Sequence, residues 1–342
     1  MRLFYNMKTS YKILFILLIN FSLTAAAQDI HFSQSNQLAL FRNPSLAGIY
    51  SGDYRIETVF RNQMTNINNA YKTGYINGYY KLPTGNASNF FTAGLKASYD
   101  KAGTISLNTS AFSPSLSFHK SLSSEFYRFI SLGFQGGIVQ QSLDRNKITT
   151  NSQFDGLGDG ETFISPNYMY VDGTVGMSYT SSFKNNKHNN YYLGVAYHHF
   201  NKPVNSFYNN PDFQLTPKTV LSGGFKFCLT DYTYLKLMSD HYIQGGFTEN
   251  ISGVLYGTKF GQDPENPDLA LNAGFFLRWD AALIPILKID YAPLSVSLSY
   301  DVNISQLKPS SYDRGGFELS ISYIGFLKRV FLNPGESDCS KF

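Results

Sequence analysis

Charge is scarce in this sequence. Asp, Glu, Lys and Arg make up 15% of its 342 residues, where an ordinary soluble domain has about 25%. Two cysteines, Cys228 and Cys339, are too few for a disulfide framework and lack a metal-binding spacing. Long hydrophobic runs are missing except for one at the N-terminus, which excludes a helical membrane protein. The net charge of +4 is small and scattered, so no nucleic-acid partner is expected. Trp occurs once, against 25 Tyr and 29 Phe. With 43% hydrophobic and 16% aromatic residues the chain has enough apolar mass to fold, which excludes disorder. What remains is a β-rich protein, soluble or embedded in an outer membrane.

The N-terminal run reads as a signal peptide over 1–27. Arg2, Lys8 and Lys12 form a basic region, Ile13 to Leu23 an apolar core, and Ala25-Ala26-Ala27 a small-residue cleavage site before Gln28. About 11 apolar residues cannot cross a hydrocarbon core of about 30 Å. No Cys follows the cleavage site, so no lipid anchor is expected.

Behind it, no stretch keeps a helical period, whereas period-2 alternation recurs to the end. Phe317, Leu319, Ile321 and Tyr323 alternate with Glu318, Ser320 and Ser322. Leu294, Val296, Leu298 and Tyr300 alternate with Ser295, Ser297, Ser299 and Asp301. Tyr54, Ile56 and Phe60 oppose Arg55, Glu57 and Arg61. Most such runs last about 9–12 residues, the length of a tilted membrane-spanning strand; a typical soluble strand has about 5–6. Fourteen are predicted, at 53–63, 71–81, 90–100, 106–120, 125–139, 168–182, 190–200, 218–228, 232–243, 250–260, 269–279, 281–291, 294–302 and 315–325. The predicted class is all-β: a transmembrane antiparallel β-barrel, even-stranded as bacterial single-chain barrels are.

One domain over 28–342 suffices, with a segment 28–52 that plugs or straps the barrel, the barrel at 53–325 and a periplasmic tail at 326–342. With the N-terminus periplasmic, the long connections 140–167, 201–217 and 303–314 fall outside the cell, while 82–89 and 183–190 fall on the periplasmic side. Cys228 and Cys339 then share the periplasmic end; two free thiols are expected, with a bridge as the alternative. Tyr79-Tyr80, Phe90-Phe91, Tyr191-Tyr192 and Tyr232 are placed for an aromatic girdle, although aromatics also favour strands in general.

No constellation of catalytic residues stands out, so an enzyme is not expected, and no cofactor is implied. His198 and His199 are adjacent, so on a strand they point to opposite faces and cannot share a metal. Asp155, Asp159 and Glu161 lie among glycines as calcium-binding loops do, but an EF-hand pattern is absent, so a plain solvated acidic loop is expected, with calcium as the weak alternative. Inward strand positions carry both signs, including Arg61, Lys236, Asp240, Arg278, Lys288, Asp301 and Glu318, compatible with a closed interior or a wet pore. Aromatic Phe207, Tyr208 and Phe213 form a candidate partner-binding patch, or else fold inward to cap the barrel; Tyr312 and Arg314 are a second candidate.

Several strings resemble the PorP/SprF family of outer-membrane proteins associated with the type IX secretion system of Bacteroidetes. They are Phe32-Ser33-Gln34, Asn43-Pro44-Ser45-Leu46-Ala47-Gly48, Tyr54-Arg55, Arg61-Asn62-Gln63, Asp100-Lys101-Ala102-Gly103, Leu132 through Gly137, residues 191–207, and the stretch from Arg278 through 299–307 to 314–325. The tail Cys339-Ser340-Lys341-Phe342 departs from the family's frequent Cys-Pro. The resemblance implies a non-enzymatic barrel located in the cell outer membrane, in contact with outer-membrane lipid, that supports type IX secretion. Its implied partners are a large secreted surface adhesin with a C-terminal sorting domain, linked to gliding, and secretion components including periplasmic ring proteins. It carries over no functional residues. The competing reading is a channel for small or hydrophobic solutes.

Overall fold

The computed structural model describes residues 29–63, 71–84, 89–123, 127–149, 151–154, 156, 165–183, 186–305 and 315–327. The signal peptide, Cys339, and the candidates Asp155, Asp159, Glu161, Tyr312 and Arg314 lie outside the described residues.

The chain forms a closed barrel of 14 antiparallel strands. They are β1 Tyr54–Gln63, β2 Tyr71–Pro83, β3 Phe90–Ala102, β4 Leu107–Ser121, β5 Arg128–Ser142, β6 Asn167–Phe183 and β7 Asn186–His198. The second half comprises β8 Lys218–Cys228, β9 Thr233–Gln244, β10 Phe247–Phe260, β11 Leu269–Arg278, β12 Ala282–Tyr291, β13 Leu294–Tyr300 (resumed at Val302–Asn303) and β14 Gly316–Gly325. Each strand pairs with its sequence neighbours, and β1 meets β14 from Tyr54↔Gly325 to Gln63↔Gly316, which leaves no open edge. All fourteen predicted runs are strands. The connection predicted at 183–190 is shorter, because β7 already begins at Asn186 and pairs with β6 beyond a register shift at Ser182/Phe183.

Alternation decides what each face meets. Ile56 and Phe60 are exposed on the outside while Glu57, Val59 and Arg61 are buried inside. On β14, Phe317, Ile321 and Tyr323 face out and Glu318, Ser320 and Ser322 face in. The same outward phase carries Leu95, Leu116, Leu132, Leu221 and Leu287 on other strands, so the apolar belt runs round the barrel. A soluble monomer rarely exposes a contiguous apolar patch above a few hundred Å²; lipid is the solvent this surface fits.

The same two-residue rule corrects the girdle. Tyr80, Phe91 and Tyr232 are exposed at one end of the barrel, but Tyr79 and Tyr192 are buried in the lumen. Phe90 also turns inward and stacks on His119 at 4.3 Å between ring centroids. Adjacent aromatics on a strand cannot both reach the interface.

The end where β1 begins, here the base, carries the tight connections such as Tyr291 to Leu294. The opposite end, the mouth, carries those between β5 and β6, β7 and β8, and β13 and β14. The three long connections therefore share one end, as strand parity predicts. The segment before β1 takes the long way: Asp29 lies at the mouth, bonded to Lys218 and His199, and the chain then crosses the barrel to reach Tyr54 at the base.

A plugged lumen as candidate functional site

Residues 29–53 pack against inward-facing side chains such as Val59, Tyr75, Tyr79 and Glu318, so they run inside the barrel from mouth to base. Two short turns shape the segment, one at Ser35–Gln37 and one at Pro44–Leu46, flanking the single-turn helix α1 Ala39–Arg42. Its apolar residues meet the few apolar positions of the lumen. Phe32 and Leu38 pack with Val59 and Tyr75, and Leu40, Ala47 and Tyr50 pack with Tyr79. Phe32 sits edge-on to Tyr75 with centroids 5.5 Å apart. Burying a side chain such as Phe or Leu is worth roughly 1.5–3 kcal/mol, so these contacts contribute to holding the segment in place.

Near the mouth, Phe32-Ser33-Gln34 docks on a buried ionic network. The backbone N–H groups of Ser33 and Gln34 donate to the two carboxylate oxygens of Glu318 at 2.6 and 2.8 Å. Ser33 Oγ donates to Asp301 at 2.5 Å and accepts from Arg61 and Arg278 at 3.0 and 2.8 Å. Arg61 pairs with Asp301 at 2.8 Å and Glu318 at 2.5 Å, and Arg278 pairs with Asp301 and Glu249 at 3.2 and 2.9 Å. Each arginine pairs with two carboxylates, and Asp301 is shared between them, as buried ions need. This network brings together the separate strings around 32–34, 61–63, 278, 301 and 318.

Halfway down, Asn43-Pro44-Ser45 presses into a glycine seat. Gly133 on β5 stands opposite Gly176 on β6, and Gly194 follows on β7. A Cβ on Gly133 would lie 2.4 Å from Ser45 N, and one on Gly176 would lie 2.0 Å from Asn43 Oδ1. No other residue type leaves room for the segment there. Asn43 Nδ2 donates to the carbonyls of Met177 and Val195 at 3.1 and 3.0 Å. Ser117 Oγ donates to Pro44 O at 2.7 Å, and Arg42 on α1 pairs with Asp240 at 3.1 Å. Composition pointed to none of these glycines; only their contact with the segment gives them a role.

At the mouth, the start of the segment is tied by a cluster around His199. His199 bridges Asp29 and Asp172, each at 2.8 Å, and Lys218 pairs with Asp29 at 2.5 Å. Both ring nitrogens can donate to carboxylates only in the imidazolium. Burial works against that cation, but the charge of Asp29 and hydrogen bonds to Asp172 and Asp29 raise its pKa above the ordinary histidine value. For Asp29, burial is outweighed by Lys218 and His199, which hold its pKa well below the usual carboxylate range. His31 is driven the other way, kept neutral by burial and by Arg278, Arg61 and Lys218. The opposite-faces expectation for His198 and His199 fails here. His199 lies just past β7 with φ of +56°, so the backbone turns and both rings are buried; His198 Nε2 donates to Arg42 O at 3.1 Å.

The predicted partner patch divides. Tyr208 and Phe213 are exposed, whereas Phe207 packs edge-on to Tyr168 at 4.7 Å. The loop is held as a small ladder, with Asn205 N donating to Phe213 O and Leu215 N to Pro203 O, both at 2.8 Å. Cys228 is a free, half-buried thiol at the base. No cluster of His, Cys, Asp or Glu suited to a metal occurs among the described residues.

A closed barrel with a lipid-facing apolar belt and a polar, occupied lumen defines an outer-membrane β-barrel protein. Residues 24–323 match the family model of the type IX secretion system membrane protein PorP/SprF, and the chain belongs to that family. No curated protein matches it. Among solved structures it is similar to the toluene transporter TbuX of Ralstonia pickettii (11% identity, 89% of this chain and 96% of that one, TM-score 0.48). It is similar also to the toluene transporter TodX of Pseudomonas putida (11%, 87% and 95%, TM-score 0.42) and to a Pseudomonas aeruginosa FadL homologue (10%, 82% and 92%, TM-score 0.44).

Proposed function

We propose that this protein is a closed, non-enzymatic platform of the type IX secretion system that holds a large surface adhesin at its mouth by the adhesin's C-terminal sorting domain. Family membership supports the secretion role and the outer-membrane location. The observation that carries the platform reading is the position of residues 29–53, which fill the lumen through the Ser33–Glu318 and Asn43–Gly176 contacts. A solute channel needs a continuous path along the axis that this segment occupies. In this reading the mouth faces outward and presents Tyr208 and Phe213, rigid rings that give contact area at low entropic cost. Periplasmic ring components would meet the base.

The test replaces Phe207, Tyr208 and Phe213 by Ser and compares adhesin retained on cells with adhesin shed into the medium. Heat-modifiable gel mobility reports whether the barrel is intact. Release from an intact barrel is the expected result; full retention would move the contact off this loop.

A further inference from the structure

On the outer face of the barrel, Lys72 on β2 and Lys101 on β3 are direct cross-strand partners at the mouth end. They share the outward phase with Ile76 and Tyr80 on β2 and with Leu95 and Tyr99 on β3, all exposed. Lys72 is itself exposed and Lys101 half-buried. From Phe91, exposed at the base, to Lys101 the wall climbs about 25 Å, taking about 3.4 Å per residue and a tilt of about 35–45°. That is the height of the apolar band of an outer-membrane barrel, so the pair stands where hydrocarbon gives way to headgroups.

Like charges directly opposite each other destabilise a sheet, and here nothing of opposite sign answers them. The cross-strand row continues with amides, Asn62 beside Lys72 and Asn108 beside Lys101. Asn108 is taken up by the Tyr99 hydroxyl, which donates to it at 2.8 Å. Nearby acids are engaged elsewhere. Asp100 turns inward and accepts from Thr73 at 2.6 Å. Asp144, which leans on the β3–β4 turn through Ile105, pairs with Lys147 at 3.2 Å. Residues 64–70 and 103–106, which follow β1 and β3 at this end, contain no charged residue. Among the described residues no ion pair or hydrogen bond reaches either ammonium group. Directly below the pair, Gly74 leaves a hollow between its cross-strand neighbours Phe60 and Tyr99, where an added Cβ would meet nothing within 4 Å.

Two ammonium groups on neighbouring strands can close on one tetrahedral oxyanion, each acting as a point charge. Charge at headgroup level with an apolar hollow beneath it matches a lipid, whose phosphate lies above its acyl chains; a free phosphate would use only the upper half. We propose that Lys72 and Lys101 hold the phosphomonoester group of an anionic lipid in the mouth-side leaflet, with an acyl chain lying in the hollow at Gly74. With the mouth outward, that is the outer leaflet. This inference is independent of the adhesin reading, because the site and its test involve no secretion partner.

The experiment follows the thermal unfolding midpoint of the purified protein in detergent micelles doped with phosphatidic acid, with phosphatidylcholine at the same mole fraction as the reference. A ligand that binds only the folded state raises the midpoint in a saturable way. The expected result is saturable stabilisation of the wild type by phosphatidic acid. The half-saturating mole fraction should rise about fivefold in Lys72→Gln or Lys101→Gln and about thirtyfold in the double variant. It should stay unchanged in Lys120→Gln, which removes an exposed lysine at the base end of β4. Heat-modifiable gel mobility reports that each variant is a folded barrel. Equal effects of the two lipids on the wild type overturn the proposal whatever the variants do. Inorganic phosphate that stabilises as well as phosphatidic acid overturns the lipid assignment. So does a wild-type response to phosphatidic acid in the folded double variant.

Discussion

Glu318 accepts the backbone N–H of Ser33 at 2.6 Å, joining residues 285 positions apart in the chain. The contact fastens the first turn of the lumen segment to the last strand of the barrel, beside the backbone ladder from Tyr54↔Gly325 to Gln63↔Gly316 that closes it. Because Arg61 also rests on Glu318, removing it leaves that buried cation with Asp301 alone, a loss below the roughly 3–5 kcal/mol of a fully unpaired buried charge. Glu318→Ala is therefore expected to undock the segment. Planar-bilayer recording should show a silent wild type, and open events in Glu318→Ala and in a variant lacking residues 29–50. Steady large conductance from the wild type, unchanged by the deletion, would refute the closed lumen.

The glycine seat makes a steric prediction. Gly133→Val and Gly176→Val place side-chain carbon where Ser45 and Asn43 now sit, and overpacking of this kind costs roughly 1–3 kcal/mol or more. Limited proteolysis should then cut within residues 29–50. Gly74→Ala, whose added carbon meets nothing within 4 Å, should leave the segment protected. Equal protection in all three variants would mean that the seat does not hold the segment.

Topology can be read with an impermeant thiol reagent on intact cells, in a background with Cys228 and Cys339 changed to Ser. Cysteine at Asn210, on the β7–β8 connection, and at Asn151, on the β5–β6 connection, should be labelled. Cysteine at Asp231, on the β8–β9 turn at the base, should not. The reverse pattern would invert the barrel and place the adhesin contact at the wrong face.

The mouth cluster predicts a stability maximum near neutral pH. The pKa of His199 is raised in the folded state, so its contribution is fully present below about 6.5 and is lost as pH rises through the folded value. His31 has a lowered pKa, so its effect has the opposite direction: stability falls as pH drops below about 6.5, where the unfolded chain binds the proton. Asp29, whose pKa is depressed, adds stability that disappears only at far lower pH, as it is finally protonated. In His199→Gln the alkaline decline should vanish while the acid decline persists. The unfolding midpoint measured from pH 5 to 9 decides; an unchanged alkaline limb would show that His199 is not the group responsible.

Much of the fold is a local property and was legible in the sequence. A strand that separates lipid from a polar interior must alternate, and Phe317 to Tyr323 could not alternate as they do in a helix or a two-sided core. Strand number, direction and the grouping of the long connections at one end followed from that period. What the sequence did not reveal is what depends on packing between distant segments. Nothing in Gly133, Gly176 and Gly194 distinguishes them from glycines such as Gly74 until Asn43-Pro44-Ser45 is seen against them. The inward charges were legible as mixed, but their pairing was not: Arg61 finds Asp301 and Glu318 through the closure of β1 on β14, which no local pattern encodes. The turn at His199 reversed an argument that held only while the residue stayed on the strand. Period sets which side a residue faces, whereas the partner it meets there is set by barrel closure and by the path of the segment through the lumen.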